Sequence, residues 1–516
     1  MKEERSYRYT FRSLLIRRLF IALLILAQLV MVVLSIVYYS KMRWVAQFLR
    51  GLALLTALHL MMRQHSASVK ISMVFLILLF PLFGGVFYWI FHFQTTTVGF
   101  RKALHRVQDE SAQAYRATAS ASDHAAEALP EVGKLIRYLD AVPQFPAYQN
   151  TQTQFYSDGK LFQEALLAEL KKAERYIFLE FFIIGEGVFW DSILEVLRER
   201  VAAGVDVRVI YDDLGCFATL PHKYRKKLQA MGISCRVFNP FRPFLTSIQN
   251  NRDHRKIAVI DGKVAFTGGI NLADEYINAR ERFGYWKDSA IKLCGDGAWS
   301  FTVMFLQMWS FLTSKKESPL DYLPPTQPHH PRIFSEGWVQ PYADSPMDRE
   351  AVGEQVYRQI ISSANRYLYI TTPYFMVDDN ILAALKSAAK SGVDVRIVLP
   401  HRPDKRMVHF TTRSYYRELL SAGIRLYEYS DGFIHSKNAV ADDVVASVGT
   451  VNLDFRSLYM HFECGVCLYR TQSIPAIRED FLQTLEHCQP ITEKDCRVGP
   501  IKKLMQDVCR LFAPMM

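Results

Sequence analysis

The chain has 516 residues, half of them hydrophobic, and a formal net charge of +11. This length excludes a protein with a single core and predicts two to four structural units. The eight Cys residues do not form a disulfide framework, and we expect ordinary, mostly buried thiols.

The first hundred residues predict an α-helical transmembrane region. Residues 19–39 and 71–91 are uncharged apolar runs, each long enough to span a bilayer. The run at 19–39 is too long for the core of a cleaved signal peptide. A third apolar stretch, at 44–62, contains Arg50, so it crosses the bilayer, re-enters it or lies at its interface.

The basic residues around these runs bear on orientation. Lys and Arg before residue 19 predict a cytoplasmic N-terminus. Two crossings would return the rest of the chain to the cytoplasm, and three would leave it outside. Arg101, Lys102 and Arg106 follow the last run, whereas Lys41 and Arg43 oppose an external first loop. We favour the cytoplasmic side.

Residues 101–140 lack a strong apolar face and are expected to be a tether or a solvated helix, with the folded part starting near 130–150. A first lobe is predicted at 141–317. Within it, a strand at 176–182, a helix at 192–203 and a buried strand at 205–211 give the β-α-β order of an α/β fold.

The same order recurs in a second lobe, predicted at 347–490, and the sequence Gly-Val-Asp-Val-Arg occurs in both lobes. The chain therefore contains an internal repeat. A Pro-rich linker is expected at 318–346. An amphipathic helix is expected at 491–516, with its apolar face packed on the core or, as the alternative, bound to a membrane surface.

One motif, H-x-K-x-x-x-x-D followed by Gly and Asn, occurs in both lobes with the same spacing. Its residues are His254, Lys256, Asp261 and Asn271 in the first copy, and His435, Lys437, Asp442 and Asn452 in the second. Two matched copies point to phosphodiester chemistry.

The residue types in this motif suit that chemistry. An imidazole can attack phosphorus or transfer a proton, while an ammonium group neutralises phosphate oxygens in the transition state. Asp261 is followed by Gly262, a strong hairpin turn. As members of the motif, Asp261 and Asp442 are candidates for the catalytic set. Because they fall at the turns, we expect them chiefly to shape the hairpins or to pair with a cation.

With these motifs, the chain resembles the phospholipase D superfamily, whose signature continues as Gly-Ser-x-Asn; here Gly269 and Thr450 replace the Ser. The resemblance covers roughly residues 140–490. Within the superfamily, the chain is similar to bacterial cardiolipin synthases, which combine two such motifs with N-terminal hydrophobic segments. The sequences at 81–88 and 271–276 share this likeness.

The resemblance implies a ping-pong transfer between two phosphatidylglycerol molecules, giving cardiolipin and glycerol through a phosphatidyl-histidine. By family analogy His254 attacks and His435 is the acid and base, although the near-symmetry of the lobes allows the reverse. Lys256, Lys437, Asn271 and Asn452 would hold the phosphate oxygens.

A nucleophilic imidazole needs a group that orients its other nitrogen. Glu463 matches the family's orienting acid for the second motif. For the first motif Asp288 is the candidate, with Glu275 as the alternative. The scheme requires no metal and no cofactor, because the lysines and histidines supply the positive charge.

The implied partners are phosphatidylglycerol and other anionic phospholipids, in a bacterial cytoplasmic membrane, and no nucleic acid is expected. Transfer to another alcohol and hydrolysis by water are neighbouring alternatives. A membrane-tethered nuclease is disfavoured by the hydrophobic N-terminus, and a degenerate lipid-binding scaffold by the two intact motifs.

Overall fold

The computed structural model describes residues 39–516 apart from 64–65, 82–83, 86–87, 90–94, 119, 241–246, 325–335 and 349, together with residues 23, 26 and 30. Most of the expected span 19–39 lies outside the described residues, and the span 71–91 is described in part. Among the residues that are described, no helix is both long enough and apolar enough to cross a bilayer.

The helices are α1 (Tyr39–Met61), α2 (Ala67–Leu79), α3 (Thr95–Ser111), α4 (Ser122–Ala128), α5 (Gly133–Ala141), α6 (Gly159–Leu170), α7 (Val188–Ala202), α8 (Tyr224–Ala230), α9 (Ala298–Thr313), α10 (Val352–Ser363), α11 (Asp379–Lys390), α12 (Arg406–Ser421), α13 (Phe455–Tyr459), α14 (Ser473–Glu486) and α15 (Pro500–Leu511).

The strands are β1 (Thr151–Tyr156), β2 (Tyr176–Phe181), β3 (Asp206–Asp212), β4 (Ser234–Phe238), β5 (Lys256–Ile260), β6 (Val264–Gly268), β7 (Tyr285–Lys287), β8 (Ala290–Gly295), β9 (Trp338–Asp344), β10 (Tyr367–Thr371), β11 (Phe375–Met376), β12 (Asp394–Pro400), β13 (Arg425–Tyr429), β14 (Gly432–Ile434), β15 (Asn438–Ala441), β16 (Val445–Gly449), β17 (Leu453–Asp454), β18 (Glu463–Tyr469) and β19 (Cys488–Pro490).

One compact unit comprises Met1–Phe100, Phe241–Asn250 and Asp507–Met516. In its described part, α1 and α2 pack together. Ala53 and Leu60 of α1 and Ile77 of α2 form a small buried cluster together with Tyr88, which follows α2 in the chain. Large apolar side chains elsewhere on both helices are exposed, among them Trp44, Phe48, Leu55, Ile71 and Leu79.

The second unit, Arg101–Pro240 and Asn251–Gln506, contains two α/β lobes built on mixed sheets. The strand order is β1-β8-β6-β5-β2-β3-β4 in the first lobe and β9-β18-β16-β15-β10-β12-β13 in the second, where β19 adds an edge. In each sheet three neighbouring strands are parallel, namely β2, β3 and β4, or β10, β12 and β13. This shared topology confirms the duplicated α/β fold.

The buried helix α9 contributes much of the first lobe's core. Its residues are apolar on every side, as expected of a helix with no solvent face, and Trp299, Phe301 and Phe305 are fully buried. The Phe305 ring stacks on Phe178 of β2 at 4.6 Å between centroids. This packing fixes β2, the strand beside the first motif strand β5.

The linker predicted at 318–346 is wrong at its C-terminal end, where β9 forms the edge of the second sheet and pairs antiparallel with β18. The sequence does not predict this strand because it contains Pro341, and Pro is rare inside sheets. Because β9 is an edge strand, the missing N–H of Pro341 does not interrupt the sheet.

The tether predicted at 101–140 is wrong for its second half, whereas the mostly exposed residues 101–110 of α3 fit the alternative of a solvated helix. Leu135, Ile136 and Leu139 of α5 are fully buried, and the Trp299 indole donates a hydrogen bond to the Ala114 carbonyl at 2.6 Å. The apolar residues of this segment belong to several short elements rather than one long helix, so no single helical face stands out in the sequence.

At the other end of the chain, α15 lies within the predicted amphipathic segment. We expected its apolar face to pack on the core. This expectation is wrong for Ile501, Leu504 and Met505, which are 77%, 64% and 56% exposed.

Candidate active site

The two motif histidines lie where the lobes meet, each beside a segment of the other lobe. The backbone N–H of His254 donates to the Phe462 carbonyl at 2.9 Å, and that of His435 to the Lys287 carbonyl at 2.7 Å. Both pairings are parallel, Asp253 with Phe462 and Ile434 with Lys287. His254 is thereby placed next to Glu463, the residue that follows Phe462. His435 is placed next to Asp288, the residue that follows Lys287.

Those following residues are the two carboxylates. His254 Nδ1 lies 2.9 Å from Glu463 Oε2, and His435 Nδ1 lies 2.7 Å from Asp288 Oδ2. The structure brings both predicted orienting acids into the site, but the predicted pairing is wrong. Each acid serves the histidine of the other lobe, because the lobes present their acid-bearing strands across their contact.

Glu275, the alternative acid for the first motif, does not reach either histidine. Its carboxylate forms an ion pair with Arg282 at 3.0 Å.

The carboxylate partners define the protonation of the imidazoles. An ionised carboxylate can only accept a hydrogen bond, so Nδ1 carries the hydrogen and Nε2 is the free base. Burial lowers the pKa of His254 to about 3 and the charge of Lys256 adds to this, against the charge of Glu463. Burial and Lys437 likewise lower the pKa of His435 to about 4. Both rings are neutral at physiological pH.

The two motif lysines are buried beside these rings. Lys256 Nζ donates to the His254 carbonyl at 2.6 Å, and Lys437 Nζ donates to the His435 carbonyl. Burial lowers the pKa of Lys256 to about 8 and that of Lys437 to about 7, although Glu463 and Asp288 oppose the shifts. Their ammonium groups are poorly solvated and are therefore suited to an anionic ligand.

Residues 269 and 450 explain why the two copies depart from the family signature in different ways. The Thr450 hydroxyl donates to Glu463, as does that of Ser457. At Gly269 a Cβ atom would overlap Asp288 Oδ1. The first copy therefore has no room for the side chain that the second copy uses to hold its acid.

Both acids are ionised in this environment. Burial raises the pKa of Glu463, but the neighbouring His254 and His461 outweigh it and the pKa lies below its ordinary value. For Asp288, burial is outweighed by Lys437 and His435, and its pKa is also lowered.

The motif asparagines lie in the same buried region but differ in their bonds. Asn271 Nδ2 donates to the Tyr276 hydroxyl at 2.7 Å, and its Oδ1 accepts from the Ile183 N–H. Asn452 Oδ1 is buried and has no hydrogen-bond partner among the described residues.

The motif aspartates lie at the hairpin turns instead. Asp261 accepts hydrogen bonds from the N–H groups of Glu174, Arg175 and Tyr176, and Asp442 accepts from those of Asn365, Arg366 and Tyr367. Both adopt positive φ, 52° and 57°, at the first residue of a hairpin loop, a conformation that Asp tolerates. Their position favours the hairpin-shaping role over direct chemistry.

A third imidazole, His461, is a site residue that sequence reasoning missed. Its Nδ1 lies 3.8 Å from Glu463 Oε1, and its ring centroid is 5.6 Å from that of His254. It stands two residues before Glu463, and that adjacency is the signal that could have identified it. Neither ring nitrogen has a hydrogen-bond partner in the described part of the chain.

His254, His461 and Glu463 could also hold a metal ion, since one ligand atom from each lies within 4.8 Å of the others. Two imidazoles and a carboxylate are a ligand set that zinc accepts. The charge of Lys256 acts on His254, however, and an adjacent ammonium group disfavours a divalent cation.

Comparisons with known proteins show which family the sequence matches. The model of the cardiolipin synthase PLD-like domain matches residues 166–288 and 357–485, and the phospholipase D-nuclease N-terminal model matches 51–91. The first two ranges contain both histidines and both carboxylates.

Three relatives illustrate the likeness. A cardiolipin synthase of Geobacillus kaustophilus (strain HTA426) is 39% identical over 75% of this chain and 77% of its own. A cardiolipin synthase of Geobacillus sp. (strain WCH70) is 33% identical over 94% of this chain and 98% of its own. The crystal structure of phosphatidylserine synthase from Haemophilus influenzae Rd KW20 matches with a TM-score of 0.56 at 17% identity, over 75% of this chain and 98% of that one. This last likeness concerns the fold alone. By its matched domains and its relatives, the chain belongs to the cardiolipin synthase family of the phospholipase D superfamily.

Proposed function

We propose that this protein is a cardiolipin synthase, a phosphatidyltransferase that joins two phosphatidylglycerol molecules and releases glycerol. The observation that carries the proposal is the pair of buried imidazole–carboxylate dyads accompanied by two lysines. A nucleophile, an acid–base group and two cations are the parts that a two-step phosphoryl transfer uses.

In the first step, His254 Nε2 attacks the phosphorus of phosphatidylglycerol, and the bond from phosphorus to the glycerol oxygen breaks. The phosphodiester charge raises the pKa of His435 on binding, and protonated His435 gives its Nε2 proton to the departing glycerol. Lys256 and Lys437 neutralise the phosphate oxygens. Attack by His254 is assigned from the likeness of the chain to the cardiolipin synthase family, and the near-symmetry of the two dyads makes the reverse assignment the alternative that the adduct experiment below distinguishes.

In the second step, a hydroxyl of another phosphatidylglycerol attacks the phosphatidyl-histidine. His435, now neutral, takes the hydroxyl proton while the bond from phosphorus to His254 breaks. Cardiolipin leaves, and the site returns to its starting protonation.

The test is to incubate the purified full-length protein in detergent with labelled phosphatidylglycerol, without added metal, and to resolve the products. Cardiolipin with stoichiometric glycerol is the expected result. Phosphatidic acid alone would instead identify a hydrolase.

The same assay tests the histidines. His254→Ala and His435→Ala should each abolish transfer, and His435→Ala should accumulate a phosphorus adduct on the peptide that contains His254. Substantial transfer in both variants would refute the two-histidine mechanism.

We propose further that residues 1–100 anchor the enzyme in the bacterial cytoplasmic membrane through spans at 19–39 and 71–91, with the catalytic lobes on the cytoplasmic side. The uncharged runs and the exposed apolar side chains of α1 and α2 support this proposal.

Labelling of intact cells with an impermeant thiol reagent tests this topology. Lys41→Cys and Arg101→Cys are compared, each in a chain whose native cysteines have been replaced. The Lys41→Cys variant should react with the reagent and the Arg101→Cys variant should not. The opposite pattern would reverse the topology.

A further inference from the structure

A basic cavity lies in the second unit, between α12 and the loop that leads into α15. It has a volume of about 300 Å³, and none of its lining residues belongs to the catalytic site. The lining includes Arg406, Arg413, Arg497 and Lys502 against one acid, Asp495. A cavity of this size holds a small polar group rather than a whole lipid.

The charges of this cavity are largely free for a ligand. Arg413 forms an ion pair with Glu428, at 3.7 Å. Arg406, Arg497 and Lys502 form no ion pair with any residue that the structure describes. Asp495 is occupied locally, accepting from the Thr492 N–H and hydroxyl at 2.8 and 2.7 Å. An anion would therefore meet Arg406, Arg497 and Lys502, which pair with none of the described residues, against the single negative charge of Asp495.

The backbone reinforces this preference. The first turns of α12 and α15 both border the cavity, and neither contains an acidic residue. The partial positive charge of both helix N-termini is thus not balanced within the helices. Gln506, only 8% exposed, joins the two helices by donating to the Phe410 carbonyl at 3.5 Å.

An apolar surface adjoins the cavity. The helix that supplies Lys502 also carries Ile501, Leu504 and Met505, which are exposed. Exposed apolar side chains beside basic ones are typical of helices that lie at an anionic bilayer surface. The combination suits a ligand with both a phosphate and acyl chains.

We propose that this cavity binds the phosphate of an anionic glycerophospholipid, separately from the catalytic site, with the acyl chains lying along the exposed face of α15. The cations and the two helix N-termini hold the phosphate oxygens. Ile501, Leu504 and Met505 contact the hydrocarbon. The lipid bound there is a docking ligand and is not consumed.

The experiment uses the full-length protein in neutral detergent micelles and a phosphatidic acid whose acyl chain carries a diazirine close to the glycerol. Phosphatidic acid has no alcohol to release, so it is not turned over. After irradiation, labelled peptides are mapped by mass spectrometry. Labelling of the peptides that contain His254 and His435 is the internal control for a competent protein and probe.

Arg497→Ala/Lys502→Ala removes two cavity cations. Lys494→Ala/Lys503→Ala is the matched control, because it removes two exposed charges from the same loop and helix that do not line the cavity. We expect labelling of residues 403–413 and 495–506, reduced about tenfold or more by the first pair of changes, as loss of charge-assisted hydrogen bonds predicts, and little by the second. Cardiolipin formation from phosphatidylglycerol, assayed with the same protein preparations, reports separately on the catalytic site.

Three results would overturn the proposal. Equal losses in both double variants would indicate diffuse attraction rather than a site. Competition by excess inorganic phosphate as effective as that by unlabelled phosphatidic acid would make the cavity a small-anion site. Labelling confined to the catalytic peptides would show that no second lipid binds.

Discussion

Single residues account for the crossed arrangement of the catalytic dyads. Glu463 belongs to the second lobe and holds His254 of the first, while Asp288 belongs to the first and holds His435 of the second. The sequence identifies both acids but gives no information on which histidine each contacts, because the pairing depends on how the lobes meet. His461 belongs to no motif, and its position two residues before Glu463 is the one feature of the sequence that points to it.

Gly269→Ser would make the first copy match the family signature more closely, yet we expect it to lower transfer at least about tenfold. The new Cβ would overlap Asp288 Oδ1 and displace the acid from His435, a loss typical of groups that support a catalytic residue. Cardiolipin formation at saturating lipid is the measurement. Thr450→Ser, which keeps the hydroxyl on Glu463, should retain most activity; equal losses in the two variants would contradict this explanation.

Removing the charge of Glu463 should impair transfer strongly. Glu463→Gln keeps the shape but loses the anion that stabilises the His254 imidazolium character in attack, and we expect a loss of about a hundredfold or more. Glu275→Gln is the matched control, since Glu275 pairs with Arg282, and it should stay within about threefold of wild type. Near-normal turnover of Glu463→Gln would remove this carboxylate from the mechanism.

The two lysines predict opposite effects of pH on activity and on stability. Their pKa values lie at about 8 and about 7, lowered from 10.5, so kcat/KM should fall as pH rises through 7 to 8 and the cations are lost. Over the same interval and up to about pH 10, the unfolded chain binds more protons at these lysines than the folded chain does, so they make stability rise with pH.

Rate and thermal unfolding measured on the same samples between pH 6 and about pH 10 would check both effects. In Lys437→Arg, the remaining activity should persist to higher pH, since Arg stays charged. A wild-type kcat/KM that is flat to about pH 9 would show that the lysines keep their protons.

Whole elements explain the motif aspartates. Each hairpin, β5–β6 and β15–β16, ends in a turn whose Asp side chain binds the start of a neighbouring strand, β2 or β10. The first turn was predictable from the Asp261-Gly262 signal, which is local, and the second, where Asp443 follows Asp442, from its equivalent place in the repeat. The short helices α4 and α5 and the edge strand β9 were not, because their apolar residues face partners distant in sequence.

Asp261→Asn should destabilise the fold by about 1–3 kcal/mol, because an amide oxygen accepts the three backbone N–H groups less strongly than a carboxylate. Asn tolerates positive φ, so the turn itself persists. Asp442→Asn should cost less, since the N–H groups of Asn365 and Arg366 are more exposed. Thermal unfolding measures both, and a loss of turnover without a loss of stability in Asp261→Asn would restore a direct chemical role.

For the whole molecule, the duplicated α/β architecture and the motif residues can be predicted from the sequence, because repeats and spacings are visible in it. The way in which the two lobes associate cannot be predicted from the sequence. That contact, with β6 against β16 and β18, positions both dyads, so neither lobe contains a complete catalytic set.

The two lobes should accordingly function as a non-covalent pair after the chain is cut between them. With a protease site inserted between Leu323 and Trp338, we expect the cleaved protein to co-elute as one species and to retain cardiolipin formation. The uncut insertion variant controls for the inserted sequence. Separation of the fragments with loss of turnover would show that the covalent link, rather than the lobe contact, holds the site together.

The close fit at Gly269 has a consequence for the evolutionary record of such proteins. Residue 269 is sterically coupled to 288, and 450 is coupled to 463 by a hydrogen bond. Substitutions at these positions should therefore covary within each pair across homologues. Each acid contacts the histidine of the other lobe. A substitution at a dyad residue of one copy should therefore require a compensating substitution in the other copy, so the two copies evolve together.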